Sequence, residues 1–246
     1  PVASLADDLA LATLRASARA RMMLTHGITT ARDCGGREHA DIALRTAIDN
    51  GIVPGPRLQV AGKLITMTGG QGHRFGREAD GIDDCRRAAR EQLKAGADFI
   101  KLMATGGVTT AGIQPGVLQL ELEELAAAVA EARKVGKLAA AHAQSPAGIK
   151  QAILAGVRSI EHGVDLSDEI IELMLERGAY LVPTLSAPHW IIAAARAGQP
   201  IPAAMLAKTE RIYDVHRASV GRAAAAGVKM AMGTDAGTPY NLHGAN

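Results

Sequence analysis

One pattern constrains this chain more than any other: a short apolar run, a turn, then a helix, repeated along its length. Strand-like runs fall at 28–33, 57–61, 98–103, 138–142, 158–162, 179–183 and 228–232. Helical runs fall at 5–26, 38–50, 82–95, 121–135, 146–155, 167–177 and 203–226. The apolar runs are short and continuous, as in parallel strands buried on both faces. Strict alternation of strand and helix predicts parallel βα units. The helix ends carry fitting residues. Ser4 is placed to cap the first helix, Asp7 and Asp8 suit its positive end, and Gly27 closes it. The helix over 121–135 starts acidic and ends on Arg133 and Lys134 before Gly136. The stretch holding Pro188, Trp190, Pro200 and Pro202 reads as a loop, as does the glycine-rich run 68–76.

Two architectures fit such units, an open doubly wound sheet and a closed barrel. Polar residues stand at the C-terminal ends of many separate strands: Asp33, Lys101, His142, His162, Thr184 and Asp235. An open sheet gathers its ligand at one switch point and uses fewer strands. A barrel points every strand end at one site. The expectation is therefore a (β/α)8 TIM-type barrel forming one domain over 1–246. It is incomplete by count: seven strands, with the first strand and the last helix missing, as in a segment of a longer protein.

Composition narrows the function classes. Aromatic residues are only 2% of the chain, so the core must come from Ala, Val, Ile, Leu and Met. The net charge of +2, with both signs interspersed, gives no reason to expect a nucleic acid or a membrane as partner. The expected partner is a small-molecule substrate, with homo-oligomerisation open. Cys34 and Cys85 form no CxxC motif and read as reduced thiols. Asp7 and Asp8 fall where a signal peptide would need an apolar run, so the expected compartment is the cytoplasm.

Lys101 sits in the apolar run Phe99-Ile-Lys-Leu-Met103, where burial disfavours an ammonium. It is a lysine reaching for solvent, a shifted-pKa amine, or a group chemically changed and bound to something. His142 and His162 end consecutive βα units. Adjacent parallel strands lie about 5 Å apart, so both rings can reach one ion. Two histidines and a carboxylate make a common zinc set. Asp235, in Met232-Gly-Thr-Asp-Ala-Gly237, reads as a helix-capping turn residue, a ligand or a general base. Glu161 precedes His162, so strand alternation points it toward the helix layer.

These residues lie in motifs that resemble one family. TTARDCGG at 29–36, GPRL at 55–58, TMTGG at 66–70, ADFIKLMATGGV at 97–108, AAHA at 140–143, SIEHG at 159–163, YLVPTLS at 180–186 and MGTDAGTP at 232–239 occur in order. As a set they resemble the metal-dependent amidohydrolases, specifically the imidazolonepropionase-like and Xaa-Pro dipeptidase-like branch, over nearly the whole chain.

The resemblance implies that Lys101 is carboxylated and bridges two divalent ions, usually zinc. His142 and His162 would hold the more exposed ion. Asp235 would bind the buried ion and move the proton of the attacking hydroxide. The family's His-x-His pair on strand one has no match here, and His26 has no partner two residues away. The segment alone would then bind one ion or none and be at best weakly active. Relatives often carry a histidine after Thr-Gly-Gly; here Gln71 stands there and His73 follows. Either Gln71 or His73 would polarise the scissile carbonyl. Arg74 and Arg77 are candidates to meet a substrate carboxylate, and His189 and Trp190 to shape a leaving-group pocket. His39, His216 and His243 read as structural or surface residues. The implied reaction is hydrolysis of an amide or peptide C–N bond in a dipeptide or N-acyl amino acid. Two alternatives stay open: a Schiff-base aldolase using Lys101, and a truncated barrel without catalysis.

Overall fold

The structure, a computed structural model, describes residues 7–244. The strands are β1 (Thr30–Asp33), β2 (Arg57–Val60), β3 (Ile65–Thr66), β4 (Arg77–Glu78), β5 (Ile100–Met103), β6 (Ala139–Ala143), β7 (Ser159–His162) and β8 (Tyr180–Val182). The helices are α1 (Leu9–Thr25), α2 (Ala40–Asp49), α3 (Ile82–Ala95), α4 (Leu122–Lys134), α5 (Pro146–Leu154), α6 (Asp168–Arg177), α7 (Ser186–Arg196) and α8 (Ala203–Ala225). The expected cap Ser4 lies outside the described residues. Asp8 caps α1 instead, its carboxylate accepting the Leu11 N–H at 2.8 Å.

Every strand pairing is parallel, in the orders β1-β2 and β4-β3-β5-β6-β7-β8. The two groups meet where Asp98 N–H donates to the Val60 carbonyl at 2.7 Å. Beyond β8, Leu181 N–H donates to Lys229 O at 2.8 Å, and Ala231 N–H to Leu181 O at 3.0 Å. Apart from β4, which lies on the far side of β3, the strand segments thus follow one another in chain order around an arc. Among the described residues no pairing joins 229–231 back to β1, so the expected barrel is not closed.

The sequence periods explain where the core sits. Every residue of β5 and β6 is buried, because helices cover one face and the arc encloses the other. Ile65, Ile100, Leu102, Leu120, Leu125, Ile149, Ile160, Leu166, Ile170, Met174, Leu181 and Ile191 are the large side chains buried completely. Truncating any of them to Ala removes contacts worth about 2–5 kcal/mol. Helix ends are set locally. Glu121 and Glu124 make a capping box on α4, and Ser145 and Ser167 cap α5 and α6. Gly178 closes α6 with φ +61, a conformation that other residues resist.

Three sequence expectations change. The stretch after β8 is a helix, α7, not a loop. Pro188 is its third residue, where no intrahelical N–H bond is lost. The glycine-rich run 68–76 remains a loop, but two short strands that the sequence did not suggest, β3 and β4, bracket it and pair with each other. The expected last strand is reduced to a single bridge at Met230. It has a neighbour on one side only, and Met232 is 86% exposed.

Candidate active site

Most of the polar strand ends gather at the C-terminal rim of the arc; Lys101, the second residue of β5 and level with Ala140, lies deeper than expected. Lys101 and His142 lie on the neighbouring strands β5 and β6, each 5% exposed. Among the described residues no hydrogen bond or ion pair takes up the Lys101 ammonium. Its charge is nonetheless felt by His142, His162, Asp235 and Cys34.

The His142 and His162 rings meet edge to face, centroids 4.5 Å apart and planes at 71°. His142 Nε2 is 3.3 Å from the Gly106 carbonyl. A carbonyl only accepts, so Nε2 carries the proton and Nδ1 keeps the lone pair. His162 Nδ1 contacts Thr184 Oγ1 at 2.6 Å; with the hydroxyl accepting, its Nε2 keeps the lone pair. Burial, then the Lys101 charge, pushes His142 down to about 3. Burial, then His142 and Lys101, holds His162 well below the usual histidine range. Both rings are therefore neutral at physiological pH, the form that binds metals.

The rim is built from unusual backbone. His162, Thr184 and Asp235 have φ of +75°, +52° and +53°. Each such residue costs about 1–3 kcal/mol, a cost that clusters where function demands it. At His162 the left-handed turn breaks strand alternation, which corrects the expectation for Glu161. That carboxylate faces the enclosed side, where Arg32 Nη2 donates to it at 2.7 Å and Ser159 Oγ at 2.8 Å. Asp235 keeps an exposed face, but the surrounding protein pushes its carboxyl up to about 6. Desolvation is the main cause, Lys101 opposes it, and Glu161 adds to it. The set expected from the sequence is His142, His162 and Asp235. The two rings adjoin, whereas among the described residues no three His, Cys, Asp or Glu side chains stand in metal-holding geometry.

Gln71 borders the pair. A Cβ added to Gly107 would lie 2.9 Å from both Gln71 Nε2 and His142 Cε1. Gln71 Nε2 donates to Thr109 Oγ1 at 2.7 Å, and its Oε1 is buried without a partner. His73 Nδ1 is 2.9 Å from the Gly70 carbonyl. In the neutral ring that leaves Nε2 as an acceptor, unsuited to polarising a carbonyl. Arg74 is exposed in the same loop. Arg77 is engaged with Asp84 and Glu91 at 2.8 and 2.9 Å, so it is committed away from a substrate. His189 is exposed on α7, 3.4 Å from the Tyr213 hydroxyl and packed against Trp190. The structure does not bring it to the histidine pair.

Sequence reasoning missed two residues here. Arg32 lies on β1 in a run that offered no sign of an inward cation. His216, expected to be structural or at the surface, is 1% exposed, with Nε2 2.9 Å from the His162 carbonyl.

Comparisons place this geometry among known proteins. The sequence model of the amidohydrolase family matches residues 2–245. Ochratoxinase of Aspergillus niger is 32% identical over 92% of this chain and 52% of its own length. A solved Xaa-Pro dipeptidase with methionine bound in its active site is 33% identical with a TM-score of 0.88, over 96% of this chain and 61% of that one. A solved prolidase complexed with N-methylphosphonate-L-proline is 32% identical with a TM-score of 0.90, over 97% and 62%. The chain spans about half the length of the curated relatives it matches. An α/β fold with a parallel sheet, the ordered motifs and a family match over nearly every residue lead to one conclusion: the chain belongs to the amidohydrolase family.

Proposed function

We propose that the protein to which this chain belongs hydrolyses an amide or peptide C–N bond with a divalent metal, zinc being the expected ion. The observation that carries the reading is Lys101. It is buried inside β5 with no polar partner among the described residues, beside two histidines held neutral. A bare ammonium is not a ligand. A carbamate on its Nζ is an anionic oxygen donor, and with it the donor set fits a divalent cation. His142 Nδ1, His162 Nε2, the Lys101 carbamate and Asp235 would hold the metal. When bound, such an ion polarises the scissile carbonyl and makes water nucleophilic near neutral pH.

The chain's own side chains supply the rest. Asp235, with its carboxyl near 6, takes the proton of the attacking water and returns it to the departing nitrogen. Gln71 has one Nε2–H on Thr109 and a second free to meet the carbonyl oxygen of the substrate. Thr184 fixes the His162 ring. The open arc reads as part of a (β/α)8 barrel whose first strand would fall between 229–231 and β1, and 1–246 as one domain of it. The similarity to a prolidase and to ochratoxinase favours a dipeptide or N-acyl amino acid as substrate.

The test is hydrolysis of Xaa-Pro dipeptides and N-acyl amino acids by the full-length protein, before and after chelation and zinc return. Activity should vanish with chelation, return with zinc, and fall at least ~100-fold in D235N, as loss of a general base does. Full activity in chelator, or in D235N, would overturn the reading.

A further inference from the structure

His216 belongs to a long helix that contributes nothing to the strand ends in sequence, yet it lies beneath them. One face of α8 carries Thr209, His216, Ser219, Val220 and Ala223, all buried. This face grips the chain that leaves β7. Ser219 Oγ accepts the Leu166 N–H at 3.0 Å, Arg222 donates to the Leu166 carbonyl, and His216 Nε2 lies 2.9 Å from the His162 carbonyl. A carbonyl accepts only, so the His216 proton sits on Nε2 and the ring is fixed in one tautomer. His216 Nδ1 has no hydrogen-bond partner of good geometry, and the main chain of Pro183, just after β8, also favours a proton on the ring. The gripped segment is the one with two successive left-handed residues, His162 at φ +75° and Gly163 at φ +61°.

Glycine tolerates that conformation; histidine does not without support. Without the turn, His162 would follow the alternation of β7 and point away from Glu161. With it, His162 meets the His142 ring edge to face and reaches Thr184. We infer that His216 is a positioning residue, holding the His162 main chain in the left-handed form that aims its imidazole at His142 and Lys101. This rests on the reading of His162 as a metal ligand. It adds that the site's affinity for metal is set partly from α8, a helix no motif touches.

The test is cobalt(II) affinity of the full-length protein, followed by its visible absorption and by competition with a chelator. Three variants are compared: H216L, H216Q and H162A. Gln can place an amide N–H where His216 Nε2–H stands; Leu fills the space without a donor. H216L should weaken cobalt binding by about 10–100-fold, the usual effect of losing a group that orients a ligand. H216Q should return most of it. Equal affinity in H216L and wild type, with H162A weakened, would overturn the inference and leave the ligand reading standing. Unchanged affinity in H162A would overturn the ligand reading and the inference with it. Equal losses in H216L and H216Q would mean that packing alone is at work, which also overturns it. Nitrogen NMR of His216 in the metal-free wild-type protein needs no variant. The Nε2–H tautomer is expected, and the Nδ1–H tautomer would refute the proposal.

Discussion

Arg32 on β1 reaches across the space enclosed by the sheet to Glu161 on β7, its Nη2 donating to Oε1 at 2.7 Å. The two strands are far apart in the order of pairing, so the ion pair spans the arc and does not bind neighbours. It stands below the histidine pair, and Glu161 contributes to the raised carboxyl of Asp235. A structural ion pair and the candidate chemistry therefore share one electrostatic environment.

Removing one partner of this pair tests its weight. R32M leaves the Glu161 carboxylate, 4% exposed, with only the Ser159 hydroxyl. A fully buried carboxylate stranded in this way costs about 3–5 kcal/mol. The Arg32 side chain is 29% exposed, so water reaches the pair and the expected loss is about 2 kcal/mol. Chemical denaturation measures it. The double variant R32M/E161M should recover most of the loss, because neither charge is then left alone. A double variant less stable than R32M would contradict this account.

Two glycines make a matched contrast. At Gly107 an added Cβ meets Gln71 Nε2 and His142 Cε1 at 2.9 Å. G107A should therefore cost about 1–3 kcal/mol by overpacking, and should loosen cobalt binding through His142. At Gly221 on α8 nothing lies within 4 Å of the new methyl. G221A should add up to about 1 kcal/mol of stability through helix propensity alone. Thermal melts of the two variants should shift in opposite directions.

Much of this was legible in the sequence, and the rest failed for identifiable reasons. The βα alternation and the pairing of His142 with His162 follow from period and spacing, which the backbone obeys along β5, β6 and most of β7; Lys101, read as a strand end, is instead the second residue of β5. Glu161 was misplaced because alternation holds only while φ stays extended, and His162 leaves that region. Helix α7 was hidden because a proline in the first helical turn looks the same in sequence as a proline in a loop. His216 gave no signal at all. Its role depends on where α8 packs, and packing between distant segments leaves no trace in local pattern.

Asp41 gives the fold a pH dependence away from the metal ligands. It is 4% exposed; one oxygen accepts the Gly62 N–H at 2.8 Å and the other has no partner. Burial, then the neighbouring Asp33 charge, pushes its carboxyl from 3.8 up to about 6. A group raised in the folded state favours folding while protonated. Its contribution is full below about pH 4 and is lost as pH rises through 6. D41N cannot ionise, so the difference in melting temperature between D41N and wild type should move in favour of D41N from pH 5 to pH 8. A difference independent of pH would rule out ionisation of Asp41 as the cause.

Lys208 on α8 ties down the loop that carries Gln71's partner. Its ammonium donates to the carbonyls of Thr110 and Ile113. Within the same loop the Thr109 hydroxyl receives Gln71 Nε2 at 2.7 Å and the Thr110 hydroxyl receives the Gly72 N–H at 3.2 Å. The base of the loop is closed separately, by the Thr105–Leu118 bridge. K208M keeps the aliphatic length but removes the two charge-assisted bonds. Because the bridge remains, global stability should fall by no more than about 1–3 kcal/mol, while the loop opens more often. Hydrogen exchange of the amides over 109–114 should speed up in K208M, and exchange in β5 and β6 should not. If exchange over 109–114 kept its wild-type rate, the order of this loop would have to come from its other ties: the Thr105–Leu118 bridge, the bonds from Gln71 and Gly72, and Arg211 on Gln114.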